Sequence, residues 1–136
     1  MTEMPTFFVD TSAWFDIVNS RAPHHAELSR LVQQPDVLLV TTSYILAELA
    51  ALLLARSGHT LAAEVGTTIR STRAIRVEHP DLVEESRAWR LFLDRPDKTY
   101  SLTDCLSFVT MRRLGLDAAL ATDQHFRQEG FMVFPK

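Results

Sequence analysis

The sequence predicts an α/β fold, a mainly parallel sheet with helices on both faces. Three observations carry that reading. Short continuous apolar runs recur at Phe7-Phe8-Val9, Val37-Leu38-Leu39-Val40 and Ala118-Ala119-Leu120-Ala121, the pattern of strands covered on both sides. Segments with helical spacing separate them. The first and third runs each pass within two residues into an acid beside a hydroxyl residue, at Asp10 and Asp123, as strand ends do where a helix begins.

The elements follow in order. Phe7-Phe8-Val9 is a strand ending at Asp10, and Thr11 or Ser12 caps a short helix from Ser12 to about Val18. Asn19 to Pro23 breaks the chain. From His24 to about Gln34, Leu28, Leu31 and Val32 keep helical spacing, and Gln34-Pro35-Asp36 ends that helix. Val37 to Val40 is a strand. Thr42 or Ser43 caps a helix running to about Arg56, stopped by Gly58. His59 to about Thr72 is a further helix, weakened by Gly66 and Thr67-Thr68. Ala74-Ile75-Arg76-Val77 is a short strand. Pro80 suits a first helical turn, and Leu82, Ser86, Trp89 and Leu93 continue one face to about Asp94. Arg95 to Tyr100 is a polar loop. Thr103 to about Leu114 is helical and closes at Gly115. Ala118 to Ala121 is a strand, Thr122 to about Glu129 a helix ending at Gly130, and Phe131-Met132-Val133-Phe134 the last strand. No repeat or long linker divides the chain, so one domain spanning 1–136 is expected.

Composition narrows the function. The 136 residues are 46% apolar and 23% charged, a globular balance. The net charge of −3 excludes nucleic-acid binding by overall positive charge and leaves it to local basic surface. Lys98 and Lys136 are the only lysines, so arginine supplies nearly all the positive charge. Cys105 is the single cysteine, which excludes an intrachain disulfide and fits a reducing cytoplasm. Met1-Thr2-Glu3-Met4-Pro5 shows no signal-peptide pattern. Val37 to Ala55 carries one charge, Glu48, over a length that could cross a bilayer. A mid-span acid costs roughly 2.5–3.5 kcal/mol on insertion scales, and Thr41-Thr42-Ser43 signals a helix start inside the run. A buried strand followed by a buried helix explains the same residues.

Four of the acids stand apart. Asp10 ends a buried strand, where it fits a ligand site or a helix N-cap equally well. Glu48 is the only charge between Asp36 and Arg56, with Ile45 and Leu52 at the contacting helical positions. A carboxylate within an apolar stripe needs a cation, an arginine or an edge open to water. Asp104 follows Ser101-Leu102-Thr103 in a first helical turn, where backbone N–H groups favour an acid. Asp123 repeats the layout of Asp10. If the two strands are neighbours at a switch point, their acids share a pocket. Carboxylates gathered without lysine or histidine repel one another unless a cation holds them, and all-oxygen ligation selects a hard ion, Mg²⁺ or Mn²⁺. Such an ion suits phosphodiester chemistry.

Phe8-Val9-Asp10-Thr11-Ser12, the mid-helix Glu48, Ser101-Leu102-Thr103-Asp104, and Ala121-Thr122-Asp123-Gln124-His125-Phe126 before Gly130-Phe131 resemble, in order and spacing, the PIN-domain family of metal-dependent ribonucleases. The likeness is strongest to small VapC-type toxins of bacterial toxin–antitoxin pairs. The resemblance implies a PIN-like three-layer fold around a five-stranded sheet of order 3-2-1-4-5. It implies that Asp10, Glu48, Asp104 and Asp123 hold one or two Mg²⁺ or Mn²⁺ ions, with Ser12 and Thr122 supporting them. It implies endonucleolytic RNA hydrolysis by a metal-activated water, a small antitoxin and a homodimer, without membrane attachment. Substrate contacts would fall to arginines such as Arg112, Arg113 and Arg127.

Other residues read more plainly. His125 fits a surface helix histidine better than a general acid or an RNA contact. His24, His25 and His59 lack metal-ligand spacing. Cys105, Trp14, Trp89 and most phenylalanines fit the core. Asp16, Asp36, Asp81, Asp94, Asp97 and Asp117 read as loop or helix-end acids. A receiver-type phosphoacceptor would want a lysine after a strand, and neither Lys98 nor Lys136 follows one. A haloacid-dehalogenase-type phosphatase would want an acid where Ser12 stands. The alternatives that remain are a PIN-like binding or regulatory module, and a nuclease of RNA processing outside a toxin–antitoxin pair.

Overall fold

The computed structural model describes residues 5–136; the signal-peptide reading of residues 1–4 lies outside them. Within that span the elements are β1 (Thr6–Val9), α1 (Thr11–Val18), α2 (His25–Val32), β2 (Leu38–Thr42), α3 (Ser43–Ser57), α4 (His59–Ser71), β3 (Ile75–Glu78), α5 (Leu82–Asp94), α6 (Leu102–Leu114), β4 (Ala118–Leu120), α7 (His125–Gln128) and β5 (Met132–Phe134). The five strands form one parallel sheet in the order β3-β2-β1-β4-β5, as the resemblance implied.

Chain direction explains the layers. From β1 the chain moves outward to β2 and β3, then returns to β4 on the other side of β1 and moves on to β5. Right-handed crossovers place the helices of the first half on one face and those of the second half on the other. The helix contacts agree, with α1 packing on α2 and α3, α3 on α4, α5 on α6, and α6 on α7. The winding reverses between β1 and β4, which is the switch point.

The central strands are short because both faces are covered and their ends are needed elsewhere. Phe8, Val9, Ala119, Leu120 and Ala121 are all buried. Small residues in β4 leave room for Phe126 and Phe108, whose rings meet edge to face at 4.9 Å. Thr41, fully buried, donates to the carbonyl of Val9 at 3.0 Å and accepts from Trp14 Nε1 at 3.2 Å. That pair ties β2 and α1 to the last residue of β1, and buried polar groups must be satisfied in this way. The run Val37 to Ala55 divides at Thr42, whose hydroxyl accepts from Ile45 N–H and caps α3. Among the described residues no helix is long and apolar enough to cross a membrane.

Three local expectations need correction. The cap of α1 is Asp10 itself, not Thr11 or Ser12. Pro80 lies outside α5, which begins after the N-cap Asp81, whose carboxylate accepts from Glu84 N–H at 2.9 Å. Residues 122–124 are not helical, because Asp123 Oδ1 accepts from His125 N–H in a tight turn that delays α7. Asp16 lies in the last turn of α1, as a helix-end acid should, and is buried there.

The apolar face expected to bury α5 points outward. Leu82, Val83, Trp89, Phe92 and Leu93 are exposed, while Glu84 and Ala88 face the interior. Glu84 is held there by Arg113 Nε at 3.1 Å and Thr110 Oγ1 at 3.3 Å, and Arg113 Nη2 also reaches Glu78 Oε1 at 2.6 Å. Burial pushes the Glu78 carboxyl up, but Arg113 and Arg76 outweigh it and its pKa lies below the usual glutamate range. A lowered carboxyl contributes stability that is present above the unfolded pKa and lost as pH falls through the folded one. Arg113→Ala removes the arginine that holds Glu84 and one of the two that hold Glu78. It is expected to destabilise the fold by about 1–3 kcal/mol in urea titration at pH 7, discounted for the partly exposed guanidinium. The part of the deficit that comes from Glu78 should shrink in acid, as its lowered carboxyl protonates. A variant as stable as wild type at pH 7 would show the network to be idle.

Candidate metal centre

Asp10 leaves β1 at the switch point. Its backbone N–H donates to Leu120 O at 3.0 Å, stitching the end of β1 to β4. Its Oδ2 accepts from Ser12 Oγ at 2.8 Å and from Ser12 N–H at 3.4 Å. Ser12 Oγ in turn accepts from the Thr122 N–H at 3.0 Å. The serine therefore locks the turn after β1 to the turn after β4, and Asp10 acts as both helix cap and site acid. Thr122 serves this link through its backbone amide, and its hydroxyl makes no hydrogen bond among the described residues.

Asp104 arrives from the other layer. It is the third residue of α6 and forms a capping box with Ser101: Asp104 N–H donates to Ser101 Oγ at 3.0 Å, and Ser101 N–H donates to Asp104 Oδ2 at 2.9 Å. His125 Nδ1 lies 2.9 Å from the same Oδ2. Asp123 stands in the turn after β4, and its Oδ1 takes the His125 N–H at 3.0 Å. Ligand atoms of Asp104, Asp123 and His125 lie within 4.8 Å of one another.

The electrostatics bind Asp10 to this group. Burial raises its carboxyl first, the charges of Asp123 and Asp104 add to that, and the Ser12 hydrogen bonds only partly offset them; the pKa is pushed up to about 7. Asp104 is also raised, by burial and then by Asp123, against the Ser101 N–H and His125. Among the described residues, each of the three carboxylates spends one oxygen on the hydrogen bonds above and keeps the other free of them. Three oxygens left over, on carboxylates whose mutual repulsion raises Asp10 and Asp104, are a donor set that fits a hard divalent cation.

Glu48 stands differently. It is exposed on α3 and makes no hydrogen bond or ion pair among the described residues. The buried face of α3 is Ile45, Leu46, Leu49 and Leu53. The expectation of a carboxylate within a buried apolar stripe is therefore wrong. Ala47, Ala50 and Ala51 face outward, so the helix reads as apolar on sides that are in water. The structure brings Asp104 and Asp123 together with His125 and ties Asp10 to them through Ser12 and Thr122, while Glu48 makes no hydrogen bond or ion pair to these acids among the described residues.

Two further expectations change. His125 is not a surface residue apart from the site. Its side chain is partly buried, its Nε2 lies 3.1 Å from Thr99 Oγ1, and its ring meets Tyr100 edge-on at 5.6 Å. The signal was its position two residues after Asp123, the spacing that lets a turn carry it back onto the acids. Arg112 and Arg113 are already held by acids of neighbouring elements. They lie in the last turn of α6, roughly 12 Å along the helix from Asp104 at its ordinary rise, and are engaged by Glu129 and by Glu78 and Glu84. Arg127 is exposed and without an ion pair among the described residues. Cys105 is buried in the core as expected, whereas Trp89 is half exposed.

Known proteins share this fold. The PIN domain model matches residues 7–131. The 23S rRNA-specific endonuclease VapC20 of Mycobacterium tuberculosis is 34% identical over 125 residues, covering 92% of this chain and 95% of that protein. The crystal structure of VapC20, described as a sarcin-ricin loop cleaving toxin, superposes with a TM-score of 0.85 at 35% identity over 93% of this chain and 96% of that one. VapBC2 from Rickettsia felis, solved with a promoter DNA fragment, shares the fold at a TM-score of 0.69 and 11% identity, over 94% and 96% of the two chains. With the family model and a relative above 30% identity both spanning nearly the whole chain, and with acids converging at the switch point, the chain belongs to the PIN-domain family of metal-dependent nucleases.

Proposed function

We propose that this chain is a metal-dependent endoribonuclease, the toxin of a toxin–antitoxin pair, acting as one domain in the cytoplasm. The observation that carries the reading is the meeting of Asp10, Asp104 and Asp123, from three separate elements, with one unspent oxygen each. Asp10, Asp104 and Asp123 would hold Mg²⁺ or Mn²⁺, and Glu48, exposed and without an ion pair among the described residues on the helix that follows β2, would be the fourth carboxylate. When bound, the cation neutralises charge growing on a phosphoryl group and acidifies a water.

The chain's own residues prepare that step. Ser12 fixes the rotamer of Asp10 and the distance between the turns after β1 and β4. Ser101 fixes Asp104 against the start of α6. The likeness to VapC20 extends the proposal to substrate, a stem-loop of 23S rRNA of the sarcin-ricin type. With a net charge of −3, affinity for RNA rests on local groups, of which Arg127 is unengaged. Ribosomes or total RNA incubated with the protein and Mg²⁺ or Mn²⁺ should yield one new 5′ end in 23S rRNA, lost in excess EDTA. Intact RNA under every metal condition, together with tight binding of a partner, would instead favour the binding-module reading.

A small antitoxin and a second copy of the chain complete the proposal. The outward face of α5, with Leu82, Trp89 and Leu93, and neighbouring Leu102 of α6, supports the second copy, because apolar side chains grouped in water mark association surfaces. Trp89→Glu is expected to turn a dimer into a monomer in sedimentation velocity at micromolar concentration. A wild type already monomeric at that concentration would remove the homodimer from the account.

A further inference from the structure

His125 makes three contacts that together span the site. Its Nδ1 is 2.9 Å from Asp104 Oδ2, its Nε2 is 3.1 Å from Thr99 Oγ1, and its backbone N–H donates to Asp123 Oδ1 at 3.0 Å. The partners dictate the hydrogen-bond roles. A carboxylate only accepts, so Nδ1–H donates to Asp104, while Nε2 pairs with the Thr99 hydroxyl, a group that can donate or accept. The edge-on Tyr100 ring, 5.6 Å away at 68°, holds the imidazole plane. One residue thus fastens an acid at the start of α6 to an acid in the turn after β4, two elements with no other hydrogen bond between these carboxylates. Asp104 Oδ1 and Asp123 Oδ2 remain free of hydrogen bonds among the described residues.

We propose that His125 is a positioning residue that sets the spacing of Asp104 and Asp123 for a divalent cation, and is neither a ligand of that cation nor a general acid. The inference rests on the metal-centre reading above. A group that orients a ligand from behind is worth about 10–100-fold in metal affinity. The observations favour this role over ligation because Nδ1 is already committed to Asp104, and Nε2 to Thr99, leaving no ring nitrogen for the ion.

Mn²⁺ titration of the whole protein, by calorimetry and by electron paramagnetic resonance, tests it. His125→Ala and His125→Gln should bind Mn²⁺ about 10–100-fold more weakly than wild type. His125→Asn, whose amide N–H stands where Nδ1–H stood, should stay within about 3-fold. At saturating Mn²⁺ the RNA cleavage rate of the alanine variant should return to within about 3-fold of wild type, which loss of a general acid would not permit. If the alanine variant fails to fold, the Asn and Gln pair carries the comparison. Wild-type affinity in both Ala and Gln variants overturns the proposal and leaves the metal centre standing. A nitrogen hyperfine coupling of a directly bound imidazole on wild-type Mn²⁺ also overturns it. A wild type that neither binds Mn²⁺ nor cleaves RNA fails the metal-centre reading itself, and this inference with it.

Discussion

Asp10→Asn is expected to abolish RNA cleavage while making the metal-free protein more stable. The two effects share one cause. Asp10 is buried beside Asp104 and Asp123, and its carboxyl is pushed up to about 7. An unfolded aspartate titrates near ~3.9. For a raised carboxyl, stability is fullest below the unfolded pKa and is lost as pH rises through the folded one, here between about pH 4 and 7. At pH 8 the charged form is fully present and costs on the order of 2–4 kcal/mol. Asparagine carries no charge and its Oδ1 still accepts from Ser12. The variant should therefore melt several degrees higher than metal-free wild type at pH 8, with the gap closing toward pH 4. Cleavage should fall by about 10³-fold or more, since the site loses the acid at its centre. A destabilised variant, or one that cleaves normally, would mean that Asp10 is a helix cap and nothing else.

Glu48→Gln separates function from fold in another way. Glu48 is exposed and makes no ion pair among the described residues, so its removal should leave the melting temperature within a degree or so of wild type. As the fourth carboxylate it should nevertheless lower Mg²⁺- or Mn²⁺-supported cleavage by about 10²-fold or more. Rates measured under single-turnover conditions across a metal titration check this. Wild-type rates in the variant would reduce the site to the three acids the fold brings together.

Much of the architecture was readable because the central strands are covered on both faces. Such strands must be continuous apolar runs, and Phe7 to Val9, Val37 to Val40 and Ala118 to Ala121 stand out for that reason. The acids after β1 and β4 were readable because a strand end passing into a helix needs a side chain to take a free backbone N–H: Asp10 caps α1, and Asp123 accepts from His125 N–H at the start of α7. The failures share a physical origin. Apolar spacing tells which residues could face a core, but not which face the neighbours leave uncovered. On α3 outward alanines made Glu48 look buried. On α5 the apolar stripe through Leu82, Trp89 and Leu93 faces water, while Glu84 turns inward to Arg113. Ion pairs between distant segments left no local trace, so Arg112 and Arg113 read as candidate RNA contacts when they are bound to Glu129, Glu78 and Glu84. His125 was undervalued because its role depends on a tight turn at Asp123 that helical spacing conceals.

The central claim is that Asp10, Asp104 and Asp123 are ligands of one divalent cation centre. A crystal soaked in Mn²⁺ and measured at the manganese absorption edge tests that claim most directly. The expected result is an anomalous peak at the end of β1 and β4, with carboxylate oxygens of all three acids at about 2.0–2.3 Å or joined to the ion through one water. An absent peak at saturating Mn²⁺, or a peak elsewhere with the three acids untouched, would contradict it.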